Sequence, residues 1–489
     1  MGWSTCDNDP QAMNELAFLS AGELAERYRS KQLSPVELVT ATLAQIDALN
    51  PLLNAFRVVD YEAAIRAAKE SEKRWLKGQP LSEVDGITFG VKDLLLARGH
   101  TTLFGSRARV PDSDTSADAP AVARLRERGA VFLGKTTTSE FGWKGTCDSP
   151  LTGITRNPWN TSLTPGGSSG GAASAAAAGM GVFQLGTDGG GSVRIPASFT
   201  GLFGMKATFG RVPAWPAGPM MTLSNVDVIT RTVDDGARML NVVTQPDPRD
   251  WYALPPSDVD FLGSTGDELT GKKFGLYLGD SKTATEGEVA EAVRAVARLI
   301  EGAGGFVEEV SLPVEDSFGV FIAHWYAGAQ HLVNQLPKER LNLVDKGLLD
   351  AAQKGTQLDI AAHYGAIFAR QRFGEKLQAF VQQYDALITP TLPILAFEVG
   401  RENPAGYDYQ SWFEWACFLY PFNLSRQPAA TVPIGFSTDG LPIGAQIVGA
   451  LYKDAHVVAI ARAIERLIPR RSPNVPSGLI KQPSSAHTK

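Results

Sequence analysis

Only three cysteines, Cys6, Cys147 and Cys417, occur in 489 residues, and none falls in a CxxC pair or a Cys/His ligand spacing. Three thiols cannot pair completely, so neither a disulfide framework nor a zinc site is indicated, and a reducing cytoplasm fits best. Positive charge is not in excess either: 46 Lys and Arg against 52 Asp and Glu give a net charge of -6. A chain without a basic face is poorly equipped to follow a phosphate backbone, which argues against nucleic acid as a partner. No window approaches the ~20 uncharged apolar residues of a membrane helix. The start, "MGWSTCDNDPQAMNELAFLS", lacks the basic opening and the apolar stretch of a secretory signal. Neither a membrane segment nor export is expected. Histidine is also scarce: His100, His324, His331, His363, His456 and His487 sit in no local catalytic signature.

What is present suits a globular protein, with 44% hydrophobic residues to build a large core. The length is compatible with two to four domains or one large α/β unit with insertions. Ser20 with Glu23, and the run Ser34-Pro35-Val36-Glu37, predict two capped helix starts. Leu38, Leu43, Ile46 and Leu49 then recur at roughly helical spacing until "NPLLNAF" breaks the pattern, and a charged helix follows over 61–77. Residues 1–77 therefore read as an N-terminal helical segment without chemistry of its own. From "DGITFGVKDLL" onward, short apolar strands ("ITFGVKD", "AVFLG", "VFQLGTD") alternate with helical or Gly-rich pieces, which predicts an α/β core over 78–475. "KKFGLYLGD", "EVAEAVRAVARLIEGAG" and "YDALITPTLPI" continue the theme. The tail at 476–489, rich in Pro, Ser and Lys, reads as frayed.

One formal motif does not survive its context. "GAVFLGKTT", residues 129–137, satisfies the phosphate-loop pattern GxxxxGK(S/T), but its intervening residues are themselves the best strand in the neighbourhood. In a phosphate loop the strand ends before the first glycine.

The stretch "TPGGSSGGAASAAAAGMGVFQLGTDGGGSVRIP" is different. "FQLGTDGGGS" runs a strand into three glycines and a serine, where several backbone N–H groups can converge without Cβ obstruction. Such a cluster suits an oxyanion, and Ser192 beside it is the candidate nucleophile; the alternative is an ordinary Gly-rich turn. A serine needs a base, and burial can bring a lysine near neutrality. Strand alternation in "ITFGVKD" puts Ile87, Phe89 and Val91 on one face and Thr88, Gly90 and Lys92 on the other, so Lys92 points away from Asp93. Against this stands a plain surface lysine at a strand end. "GGSSGG" offers a relay hydroxyl or, alternatively, a flexible linker.

Together, Lys92 in "GVKD", the block "GGSSGGAAS", and "GTDGGGSVRIPAS" followed by "GLFGMKATFGRV" resemble the amidase signature family of Ser-Ser-Lys hydrolases. The likeness spans about Gly86 to Val212, with a weaker echo in "FNLSRQPAATVPIGFSTDGLPIGAQIVG". The resemblance implies Lys92 as base, Ser168 in a cis peptide as relay, and Ser192 as acyl-forming nucleophile. The 24-residue separation of the two serines matches the family's register. It further implies an oxyanion hole from the N–H groups of Gly189, Gly190, Gly191 and Ser192, braced by Thr187, Asp188 and Arg194, with no metal or organic cofactor. The implied fold is a large mixed twisted β-sheet sandwiched between α-helical layers. The implied partner is a small-molecule amide, ester or carbamate, taken by a cytoplasmic monomer or homodimer. The alternatives are an inactive binding protein on the same fold and one component of a glutamine-dependent amidotransferase. Three departures stand out: Thr88 where the family often has proline, Ala207 where "KPT" is common, and Arg426 where glycine usually follows "FN". The aromatic stretches "FGVFIAHWY" and "YQSWFEWACFLYPFN" suit an apolar acyl or aryl pocket, or core and lid packing.

Overall fold

Serine hydroxyls start the first two helices as the caps predict. In the computed structural model, which describes residues 15–111, 115–263, 269–280, 285–313, 316–469 and 471–473, Ser20 and Glu23 exchange hydrogen bonds, and Ser34 and Glu37 do the same. Helices Ala21–Arg29 and Pro35–Leu53 follow, and Asn54 ends the second with a left-handed φ of 50°. Cys6, His487 and the tail at 476–489 lie outside the described residues.

The strands among the described residues are β1 (Phe56–Val59), β2 (Thr88–Lys92), β3 (Val131–Thr136), β4 (Asp148–Ser149), β5 (Gly153–Ile154), β6 (Phe183–Asp188), β7 (Phe203–Lys206), β8 (Asn225–Thr230), β9 (Lys273–Leu276), β10 (Phe306–Glu309), β11 (Ala386–Pro390), β12 (Ala429–Phe436) and β13 (Pro442–Val448). β4 and β5 pair separately, and the other eleven form one mixed sheet in the order β1-β3-β2-β6-β8-β7-β12-β13-β11-β9-β10. β1 corrects the reading of a purely helical front segment. It lies between helices Pro35–Leu53 and Tyr61–Leu76 and supplies an edge of the sheet, antiparallel to β3. Four residues between two strong helical patterns leave too short a period-2 signal to read.

On one face, Ile87, Phe89 and Val91 of β2, Phe183 and Leu185 of β6, and Val226 and Val228 of β8 join a core with helices Val233–Val243, Gly287–Gly302 and Asp454–Leu467. The other face carries two fully buried helices, Gly170–Ala177 and Arg194–Thr200. Ala172, Ala173 and Ala176 of the first pack with Val193 and Ala197 beside Ile229 of β8, a contact that small side chains keep close. Beyond Ile195 and Phe199 lies a second core, rich in aromatic rings, with helices Ser317–Asn334, Lys346–Gly355 and Ile360–Val381. The architecture is α/β, a large mixed sheet between helical layers.

The phosphate-loop look-alike is strand throughout its centre. Lys135 turns inward to the Leu95 carbonyl at 2.6 Å, Thr102 Oγ1 at 2.8 Å and Asp93 at 3.1 Å, leaving no loop to cradle phosphate. Among the described residues no helix is long and apolar enough to cross a membrane.

Candidate active site

β2 and β6 run parallel with Val91 opposite Leu185, so their carboxyl ends deliver Lys92 and Thr187 to one point. Lys92 leaves β2 on the face opposite Phe89 and Val91. Its Nζ lies 2.7 Å from Ser168 Oγ, 2.8 Å from Ser169 Oγ and 2.8 Å from Thr187 Oγ1. Asp93 turns the other way, to Arg57 at 2.8 Å and Lys135 at 3.1 Å. No carboxylate among the described residues forms an ion pair with Lys92. Its pKa falls to about 7 because burial penalises the ammonium; Cys147 and Asp188 pull the other way without cancelling it.

The serine pair is presented by the loop that starts helix Gly170–Ala177, and the Gly167–Ser168 peptide is cis. Ser169, to which the sequence pattern assigns no role, also touches the lysine. Its hydroxyl donates to the Thr187 carbonyl at 3.2 Å and accepts the Thr187 N–H at 3.3 Å, tying the serine loop to β6. The doubled serine in "GGSSGG" is the signal that could have found it. Ser192 meets this loop through its backbone, its carbonyl accepting the Ser169 N–H at 3.1 Å. Among the described residues no hydrogen bond joins the Ser192 hydroxyl to Ser168.

Asp188 and Arg194 hold the glycine loop from below. The Asp188 carboxylate accepts the N–H of Gly191 at 2.8 Å and of Val193 at 3.2 Å, and two guanidinium bonds from Arg194 at 2.9 and 2.8 Å. Asn423 Nδ2 adds a bond to the same carboxylate at 2.9 Å, and Arg194 continues to Gln446 Oε1 at 2.7 Å and Asn423 Oδ1 at 2.6 Å. Burial alone would push the Asp188 carboxyl up, but the Arg194 charge and the bonds from Arg194 and Asn423 hold it well below the usual range. Sequence reasoning missed Asn423 and Gln446, although both stand inside "FNLSRQPAATVPIGFSTDGLPIGAQIVG". The Gly191 amide is turned to Asp188 Oδ1. Gly189, Gly190 and Ser192 have amides without an internal partner among the described residues.

Aromatic side chains close over that loop. A Cβ on Gly190 would stand 2.8 Å from Phe321 Cζ and 3.3 Å from Trp412 Cη2, and one on Gly189 would stand 3.3 Å from Trp325 Cζ3. Both aromatic stretches therefore reach the glycines. Among the described residues no group of three or more His, Cys, Asp or Glu side chains is arranged to hold a metal ion.

Residues 37–458 match the family model described as Amidase. The chain belongs to the amidase signature family. It is 33% identical over 466 residues to an acylamidase of Rhodococcus erythropolis, covering 93% of this chain and 96% of the relative. It is 31% identical to a glutamyl-tRNA(Gln) amidotransferase subunit from a Geobacter species, covering 92% of this chain and 98% of that one. A solved bacterial aryl acylamidase of the amidase signature family superimposes with a TM-score of 0.85 at 28% identity, over 92% of this chain and 96% of that structure.

For an amidase signature chain, the three departures have local accounts. Thr88 is buried, its Oγ1 accepting the Val182 N–H at 3.2 Å. Ala207 has an N–H that proline would lack, and it donates to Asp227 Oδ1 at 2.9 Å. Arg426 keeps the left-handed backbone that glycine favours, with φ of 64°, and its guanidinium lies over Phe209, 4.9 Å from the ring centre.

Proposed function

We propose that this amidase signature protein hydrolyses the C–N bond of bulky, apolar or aryl carboxylic amides through an acyl-enzyme on Ser192. Esters and carbamates present the same carbonyl to the same groups. The observation that carries the reading is the buried Lys92 amine, near neutrality and 2.7 Å from Ser168 Oγ. Neutral Lys92 takes a proton from Ser168 as Ser168 takes one from Ser192, and Ser192 Oγ bonds to the substrate carbonyl carbon. The amides of Gly189, Gly190 and Ser192 stabilise the oxyanion. Protonated Lys92 returns the proton through Ser168 to the departing amine, and water repeats the attack to release the acid. Asp188 and Arg194 position the loop without touching the reacting atoms, and Thr187 holds the Lys92 amine through its hydroxyl at 2.8 Å.

The rings of Phe321, Trp325 and Trp412 around the glycines support an apolar or aryl substrate. The resemblance to one component of a glutamyl-tRNA(Gln) amidotransferase supports a second reading, ammonia release from glutamine within a complex. Glutamine's charged α-groups would find no counter-charge on those rings. A cytoplasmic setting belongs to this proposal and rests on the odd cysteine count.

The test is a panel of anilides, aliphatic amides, esters, carbamates and glutamine, assayed on wild type and Ser192→Ala, with fluorophosphonate labelling of both. Anilide turnover and labelling in wild type alone are expected. Ammonia from glutamine but no anilide turnover would favour the amidotransferase. No labelling would favour an inactive binding protein. Full turnover and an acyl adduct in Ser192→Ala would refute the assignment.

A further inference from the structure

Arg370, on helix Ile360–Val381, is bonded to two other segments at once. Its Nη1 donates to Thr222 Oγ1 at 2.7 Å, and its Nη2 to the carbonyls of Thr222 at 2.9 Å and Asn423 at 3.2 Å. Its Nε donates to the Leu424 carbonyl at 2.9 Å. All of these acceptors are neutral. Among the described residues no carboxylate forms an ion pair with this guanidinium, and burial, helped by the charge of Arg426, pushes its pKa down to about 9. A buried charge without a counter-charge is costly, and an apolar side chain would fill the place without that cost. Packing alone therefore does not call for an arginine. The planar fork does something a lysine ammonium cannot, which is to reach acceptors on two segments in fixed directions.

Both segments run on to the glycine loop. Thr222 belongs to the turn Met221–Leu223, which leads into β8, where the first residue, Asn225, pairs with Asp188. Ser224 lies between them, with its Cβ 3.8 Å from the position a Cβ on Gly189 would take. Asn423 and Leu424 end helix Tyr420–Leu424, where the last carbonyls lack partners of their own helix. The Asn423 side chain ties the two segments together, donating to the carbonyls of Leu223 and Asp188, each at 3.1 Å. Asn423 is thus gripped twice, by Arg194 at its side chain and by Arg370 at its main chain.

We infer that Arg370 is a positioning residue for the oxyanion site: it locks the Met221–Leu223 turn to helix Tyr420–Leu424 and, through Asn423 and Ser224, holds Asp188 and the glycine amides in place. The inference rests on the proposed acyl-enzyme chemistry at Ser192. An oxyanion forms only as the carbonyl is attacked, so loosened donors lower kcat and leave KM in place. A shift of about 1 Å in such donors is enough to cost about 10²-fold.

The test measures anilide kinetics, the rate of fluorophosphonate labelling and the melting temperature on wild type, Arg370→Met, Arg370→Lys and Thr222→Val. In Arg370→Met, kcat and the labelling rate should fall about 10–100-fold with KM within about twofold of wild type. Arg370→Lys should lose nearly as much, although it keeps the charge. Thr222→Val removes one of the four bonds and should lose several-fold. If wild type reacts with the fluorophosphonate but not with the anilide, the labelling rates carry the same comparison. A wild type inert to both refutes the acyl-enzyme reading and the inference with it, whereas a reactive wild type matched by Arg370→Met overturns the positioning role alone. A raised KM at unchanged kcat also overturns it, by making Arg370 a substrate contact. Should Arg370→Met fail to fold, Thr222→Val decides: wild-type kcat overturns the inference, and a several-fold fall at an unmoved melting temperature supports it.

Discussion

Arg194 grips Asp188 with two parallel hydrogen bonds, 2.9 and 2.8 Å, and both side chains are fully excluded from solvent. An ion pair so buried is costly to break on one side only. Asp188→Asn leaves the guanidinium unbalanced and should destabilise the fold by about 3–5 kcal/mol, read by urea denaturation at neutral pH. The carboxyl's pKa is depressed by folding, so its stabilisation is present above about pH 4, the unfolded value, and erodes below it. The acid limb of wild-type stability should therefore be steeper than that of the variant. Equal limbs would show that Asp188 is not charged inside the protein.

The depth of Lys92 predicts a pH profile. With its pKa near 7, kcat/KM for an anilide should rise through an acid limb centred close to neutrality and level off above it. Lys92→Ala should lose about 10²–10⁴-fold in kcat. An acid limb unchanged in that variant would mean another group is the base.

Ser169 is expected to act by positioning. Its hydroxyl accepts a hydrogen bond from Lys92 at 2.8 Å and so favours the ammonium form. Ser169→Ala should shift the acid limb to lower pH and reduce kcat while fluorophosphonate still labels Ser192. A fall in kcat with the limb unmoved would leave Ser169 a packing role only.

Gly190→Ala should reduce kcat by about 10²–10³-fold with the fold intact by circular dichroism, because the new methyl collides with Phe321. Phe321 is held in place by Tyr420, stacked at 4.6 Å, and by the edge of Phe413 at 5.8 Å. The double variant Gly190→Ala with Phe321→Leu should recover part of the rate. No recovery would place the damage in the loop backbone itself.

The parts of this arrangement that are readable from the sequence are those set by local rules. Alternation along a strand assigns Lys92 its side, and serine with glutamate three positions on marks both early helix starts. The bond from the Gly191 amide to Asp188 is local too, since Asp188 stands three residues upstream, within reach of a carboxylate-to-backbone bond. Asn423 reaches Asp188 across 235 residues, a distance that no pattern in one chain encodes without its fold. β1 is hidden for a related reason: its pairing with β3 is a tertiary fact, and its four residues are too few to announce themselves.

Among the described residues β10 is the last strand of the sheet, with one side unpaired, and Phe306 is 66% exposed. Such a margin invites addition of a foreign strand and, from there, fibrous growth. Glu308 and Glu309 place negative charge along it, and Glu308 is held by Lys273 at 3.0 Å and the Tyr384 hydroxyl at 2.6 Å. These acids act as gatekeepers against aggregation, so neutralising them carries a solubility cost that no activity assay would reveal.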